Sequence, residues 1–456
     1  MTLWPLGFVH GQLLGLSTRQ ATATTARMSQ PQTYSSQDHK VESCGSPTLA
    51  NSDTLNMTFQ EADSLLITQN LILMAQRYRI EVAKANELVA KVFSNPVLYL
   101  EQSVYNQQSR RLLPIQSEYQ DGSQGQNIIS VQQLVYLAGK RNKRLRLALE
   151  GTNLSNYAFQ DLCRTLKYEL HAKLLDVHAK QQYLSLYLTS IGNLRETIKL
   201  YKVQVAKGNL ALKELVRLQA FLLALETEQR NLRQSLADMQ ADIRVLLGIP
   251  NAVWVNLKLL DKRPPTMLQD LATLQDLAQN QRPDLKLAAS AVNLEEANKA
   301  LEKANVVPDL NLGVVYDRNG SYIQNYTGVS AQMALPVFNQ NKAMIKLADL
   351  RAKAAYQELV AARQNAAQEV NTAYQKYLLN QQMAREQDPD LMQNFEGMMA
   401  GLTRSYQQQL ISVVEYIDFY ESYKNTFLQY YDLENDKFQA IEELNFATGA
   451  TVFQLR

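Results

Sequence analysis

Few residues in this chain have the type and spacing to do chemistry. His171 and His178 stand seven apart, on one face if the segment is helical. A metal site there would need further ligands at i+3 or i+4, so a solvated or helix-seam position is the plainer reading. Cys44 and Cys163 lie far apart with no spacing motif, which argues against a disulfide scaffold or a Cys-based metal site. The basic run GKRNKR (139–144) directly follows a predicted strand. It could orient a hairpin or meet acidic groups, but a solvated helix start is the simpler role. In VVEYIDFYE, Glu415 and Asp418 are three apart and share one helical face. None of these groups makes a catalytic constellation or a cofactor motif. The chain reads as a non-enzyme without cofactor or metal.

The elements that carry these residues must be long helices. Only 17 Gly and 12 Pro occur in 456 residues, beside 46% hydrophobic and 20% charged residues, a balance that disfavours a sandwich or a disordered chain. Lys and Arg total 46 against 44 Asp and Glu, a net +2, so no nucleic-acid partner is implied by bulk charge. No stretch approaches the 18 or more apolar residues of a membrane-spanning helix.

An internal repeat organises the chain. ANELVAKVFSNPVLYL (85–100) matches ANKALEKANVVPDLNL (297–312) at an offset of 212, with Pro96 on Pro308. SVQQLVYLAGKRNKRLRLA (130–148) matches SAQMALPVFNQNKAMIKLA (330–348) at an offset of 200, and GNLALKELVR (208–217) matches QLISVVEYID (409–418) at 201. Gly248 recurs as Gly449, and both read simply as helix C-caps. The expected division is repeat 1 over 57–249, a Pro-bearing linker over 250–266, repeat 2 over 267–449 and a tail over 450–456. Residues 1–56 form a leader. Its apolar start and Ala21-Thr22-Ala23 suit a signal peptide, yet no Lys or Arg precedes Arg19. The other reading is an extended start before a disordered Ser/Gln/Thr-rich tail. VES is a poor context for a lipidated Cys44.

Each repeat predicts the same order: a helical segment of about 35 residues (near 59–93 and 270–305) ending before Pro, a strand pair, a very long helix and a return helix. The first long helix, near 140–206, would reach roughly 90–100 Å. Its return helix carries Leu215, Leu218, Leu222, Leu225, Leu232, Leu236, Met239, Ile243 and Leu246 in steps of three and four, a heptad seam. Tyr187, Ile191, Leu194, Ile198, Tyr201 and Val205 answer it. In the second copy Asp388-Pro389-Asp390 should break the long helix, and the return helix carries an aromatic stripe, Tyr416, Phe419, Tyr423 and Tyr430.

The strands of repeat 2 alternate. Leu310, Leu312, Val314 and Tyr316, then Val329, Ala331, Met333 and Leu335, make an apolar face opposite small or polar residues. Period two with one apolar face suits a membrane barrel. The plain alternative is a pair of hairpins capping a coiled coil, apolar face inward. Four strands cannot close a barrel, and an open edge in lipid is not tolerated. If they enter a membrane, three chains would supply twelve strands. Tyr99, Tyr105, Tyr322 and Tyr326 near the strand ends would be interfacial anchors. Gln133 is polar on the would-be lipid face.

On these features the chain resembles the TolC-type outer-membrane efflux factors over most of 57–449. The resemblance is carried by the repeat, by MTFQEADSLLITQN, by QRPDLKLAASAV (281–292) before VVPDLNLGVVYD, by LPVFNQNK (335–342) and by both return-helix motifs. It implies a mainly α fold with a small β part: tandem long helical hairpins forming a periplasmic α-barrel, and four strands given to a trimeric 12-stranded β-barrel in outer-membrane lipid. It implies a homotrimer serving as a passive exit duct, with a periplasmic adaptor and an inner-membrane pump of RND or ABC type as partners. The adaptor would grip the helical tips, here Gly208, Asn209, Leu210 in repeat 1 and Gln409, Leu410, Ile411 in repeat 2; Gln409 stands where the second tip usually has Gly. Two acidic residues at the place of Glu415 and Asp418 would ring the narrowest point of the tunnel, whereas as residues alone they read as solvated or paired. The alternative function is a periplasmic coiled-coil adaptor or scaffold without a pore.

Overall fold

The computed structural model describes residues 54–106, 111–112, 126–250, 253–258, 270–319, 323–386, 390–408 and 410–453. The leader before Thr54, with Cys44 and Ala21–Ala23, lies outside them, as do Tyr322 and Gln409.

Repeat 1 begins with β1 (Thr54–Met57), followed by α1 (Phe59–Gln69) and α2 (Leu71–Lys91). Thr58 opens α1 with a capping box: its N–H donates to Glu61 Oε2 at 2.8 Å, and the Glu61 N–H returns to Thr58 Oγ1. The expected single helix is thus two. The break falls at Asn70, an extended residue whose side chain accepts from Ile72 and Leu73 to cap α2. β2 (Val97–Gln102), the short β3 (Tyr105–Asn106) and β4 (Arg111–Leu112), and β5 (Asn127–Val135) follow. Then come α3 (Lys140–Ala206) and α4 (Leu212–Leu247).

Repeat 2 has the same order. Past β6 (Trp254–Leu257) come α5 (Leu271–Gln281) and α6 (Pro283–Ala304), again split, here at Arg282 with Pro at the first position of α6. β7 (Leu310–Asn319) and β8 (Gln324–Met333) form the second hairpin. α7 (Lys342–Glu386) and α8 (Leu391–Gln407) stand where one long helix stands in repeat 1, and α9 (Val413–Thr448) returns; Asp388 and Pro389, where a break was expected, lie outside the described residues. β1 and β6 pair in parallel, Leu55 opposite Val255. That ladder places one strand at the leader's end and one within the linker stretch, where sequence reading expected irregular chain.

Two layers of core hold the helices. The first surrounds the β1–β6 ladder and gathers Leu66, Leu73, Leu170, Leu174, Leu236, Ile243, Ala373 and Leu444. The second lies toward the helical tips and buries Tyr187, Ile191, Leu194, Ile198 and Tyr201 of α3 against Leu215, Leu218 and Leu225 of α4; burying such side chains is the main stabilising term. The aromatic stripe of α9 differs from expectation. The buried series is Tyr416, Tyr420, Tyr423 and Phe427, while Phe419 is exposed and Tyr430 half-buried. A helix packed on one neighbour keeps a face of 3.6-residue period, so steps of four and three win over the residue type at 419.

Candidate functional site

The four long strands form one antiparallel sheet in the order β2-β5-β7-β8. Directly opposed residues share a face, so the register sorts every strand residue. Leu312 sits across from Ala331 on one side and Gln133 on the other, and Val314 across from Val329 and Val131. Leu98 and Leu100 continue this face onto β2. It is apolar and bare: Val329 is 84% exposed, Leu98 60% and Val314 56%. The expected apolar face therefore exists, except at Leu335. β8 stops at Met333, which pairs with Leu310, the first residue of β7. Gln133, the polar intruder, donates to the Ser94 carbonyl at 2.8 Å and so has its amide satisfied at the helix-side end of the sheet.

The opposite face is small and polar near the helices, with Gln132, Gly313 and Ser330 in one row. At the far end, next to the hairpin tips, Glu101, Ile128, Asp317 and Tyr326 make a row across all four strands. Gln126 donates to Asp317 Oδ2 at 2.7 Å. Tyr99 and Tyr326 lie on this polar face and not on the apolar one where anchors were expected. A one-residue difference in register reverses a side chain's face, and sequence did not fix it.

The basic run also differs from its simpler reading. Lys140, buried, meets Asp309 at 2.7 Å. Arg141 donates to the Lys91 carbonyl at 2.6 Å and lies 4.0 Å from the Phe93 ring centroid. These side chains bind the start of α3 to the residue before β7 and to the end of α2, orienting strands relative to helices. Asp309 was not anticipated; the signal available was an acidic residue just ahead of a strand beside a buried lysine.

At the first tip α3 ends in Gly208 with φ +76, where the Gly208 N–H reaches Val205 and the Asn209 N–H reaches Gln204, both at 2.9 Å. This is a Schellman turn, whose left-handed residue favours glycine. The second tip repeats the outer bond, Leu410 N–H to Ser405 O at 2.9 Å. Gly208, Asn209 and Leu410 are exposed, whereas Leu210 and Ile411 are half-buried against the tip core.

Glu415 and Asp418 are both exposed on α9. Glu415 is also the third residue of that helix. Its Oε2 accepts from the Ser412 N–H at 2.8 Å, and its N–H donates to Ser412 Oγ at 3.2 Å. Those backbone and side-chain hydrogen bonds hold its carboxyl below the usual range. The string SVVE is a capping box, a signal the sequence contained.

His171 takes the helix-seam position and not the solvated one, with its side chain 13% exposed. Its Nδ1 lies 2.8 Å from Glu442 Oε2 and its Nε2 3.0 Å from Asp63 Oδ1, joining α1, α3 and α9. Burial opposes the charge, but the two carboxylates outweigh it and raise the imidazole to about 9. Lys167 is a second partner of Asp63 at 2.8 Å. Among the described residues no His, Cys, Asp and Glu group could hold a metal ion, and no helix is long and apolar enough to cross a membrane.

Residues 274–450 match the family of outer membrane efflux proteins. That match falls on the second repeat. The likeness in fold extends over both repeats. The outer-membrane channel OprN covers 86% of the chain and 90% of its own length at TM-score 0.67 and 16% identity. VceC of Vibrio cholerae gives 0.65 at 14% identity, over 86% of the chain and 96% of its own. The CmeC outer membrane channel of Campylobacter jejuni gives 0.66 at 13% identity, over 87% of each. No curated protein matches in sequence. The mainly α fold with a small β part is that of the TolC-type channels.

Proposed function

We propose that this chain is the outer-membrane exit duct of a tripartite export system, a passive pore spanning the outer membrane and reaching into the periplasm. The observation that carries the reading is the bare apolar face of the β2-β5-β7-β8 sheet. Water disfavours such an area, and lipid does not. Among the described residues the sheet ends in two unpaired edges, β2 and β8, which lipid cannot satisfy. Three copies joined edge to edge would close a 12-stranded barrel with the polar face toward its lumen. Below it, α3–α4 and α7–α9 would form the periplasmic tunnel. The tips at Gly208–Leu210 and Gln409–Ile411 would meet the adaptor, and Glu415 with Asp418 would ring the narrow end. Cargo would be driven by an inner-membrane pump.

The test is cell fractionation followed by sedimentation in detergent. A duct goes with the outer membrane as a stable, heat-modifiable trimer. A soluble protein, or a monomer in detergent with its strands still folded, would overturn the reading in favour of a scaffold.

A further inference from the structure

A cleft of about 560 Å³ separates α3 from α8 along the floor made by α9. Its centre near Ser190 lies roughly 25–30 Å along α3 from the tip glycine. The tip end is closed by a stack in which the Tyr406 ring lies 5.0 Å from Tyr201 and 4.5 Å from Tyr416. Tyr416 then begins the floor, followed by Tyr420, Tyr423, Phe427 and Tyr431. Repeat 1 has Leu215 and Leu222 where this floor has Tyr416 and Tyr423, and those leucines pack directly into the α3–α4 seam.

The α3 wall is the reverse in character. Gln182, Ser185, Thr189 and Asn193 follow one another at helical spacing and line the same space. Ser185 and Thr189 donate their hydroxyl hydrogens to backbone carbonyls of their own helix, which leaves lone pairs toward the cleft. Tyr420 is buried, its hydroxyl oxygen inaccessible and beside Ser190, so the cleft meets the ring of this residue and not its hydroxyl. Among the described residues that line the cleft, Arg404 at the rim is the one charged side chain.

We propose that this cleft binds a small planar aromatic anion. Its ring would lie on the α9 aromatic floor in offset or edge-to-face contact, and its carboxylate would pair with Arg404. The proposal stands apart from the duct reading, since binding needs neither a barrel nor a membrane potential.

The test is calorimetric titration of the full chain, in amphipol, with 2-naphthoate and with 2-naphthylmethylammonium. Saturable binding of naphthoate is expected, at least tenfold tighter than that of the ammonium probe. Thr189→Trp, at the exposed rim, should fill the cleft and weaken naphthoate at least tenfold. Arg404→Gln, also exposed, should erase the preference between the probes, and it carries the test should Thr189→Trp fail to fold. No saturable naphthoate binding, equal affinity for both probes, or unchanged binding in Arg404→Gln would each overturn the proposal.

Discussion

The Asn70 side-chain amide donates to the carbonyl oxygen of Leu246 at 2.8 Å. Its counterpart in repeat 2 is Arg282, which donates to the carbonyl of Ala447 at 2.9 Å. Both donors sit at the break in the split helix, and both acceptors lie in the last turn before a left-handed glycine. Gly248 has φ +66, and a Cβ there would lie 2.6 Å from the Gln69 carbonyl oxygen; Gly449 has φ +68 and would meet Arg282 at 2.9 Å. The two glycines are more than caps. Each lets the end of a return helix press against a helix break, so the joint recurs with different side chains.

Asn70→Ala removes both a helix cap and a buried hydrogen bond. A loss of about 1–3 kcal/mol is expected, read as a lower unfolding midpoint in urea. Gly248→Ala adds a clash at positive φ and should be at least as harmful.

Leu312→Arg or Val314→Arg should cost about 2–4 kcal/mol at the bilayer midplane. Asn311→Arg, on the polar face, should assemble normally. The yield of folded oligomer in lipid vesicles checks this, and equal damage from both faces would mean the apolar face is not the lipid face.

In a closed trimer Glu101 and Asp317 would place six carboxylates in one ring at the outer end of the barrel. Such a ring attracts cations. Glu101→Gln with Asp317→Asn should lower the cation preference measured from reversal potentials in a planar bilayer, more so at low salt.

The gate and the cap can be separated at position 415. Glu415→Gln keeps a capping box and removes the charge, so Glu415→Gln with Asp418→Asn should change conductance and cation preference without altering thermal stability. Glu415→Ala should in addition weaken the start of α9. If both variants conduct like the parent, the constriction lies elsewhere.

His171 ties three helices while it is charged. Its pKa is raised in the folded chain, so this stabilisation is full below about 6.5, the unfolded value, and is lost as pH rises through about 9. Asp63, held below its ordinary value against its own burial by His171 and Lys167, sets the acid limit. His171→Leu would leave the buried Glu442 without its cationic partner and the half-buried Asp63 with Lys167 alone, at about 3 kcal/mol. Thermal unfolding from pH 7 to 10 should show the parent losing stability near pH 9 and the variant showing no such step.

Much of this was legible in the sequence because it is periodic or local. The α3–α4 seam from Leu215 to Leu246 shows itself by spacing, and the apolar face at Leu312 and Val314 by alternation. The repeats supplied the rest of the element order. What only the tertiary structure decided depends on partners distant in the chain. Asn70 reads as an unremarkable helix residue until Leu246 is beside it, and Lys140 reads as solvated until Asp309 is. Tyr99 faces the polar side because pairing register, unlike period, is set by the neighbouring strand. His171 is charged because Asp63 and Glu442 arrive from two other helices, and a pattern read along one chain cannot register charges that fold against it from elsewhere.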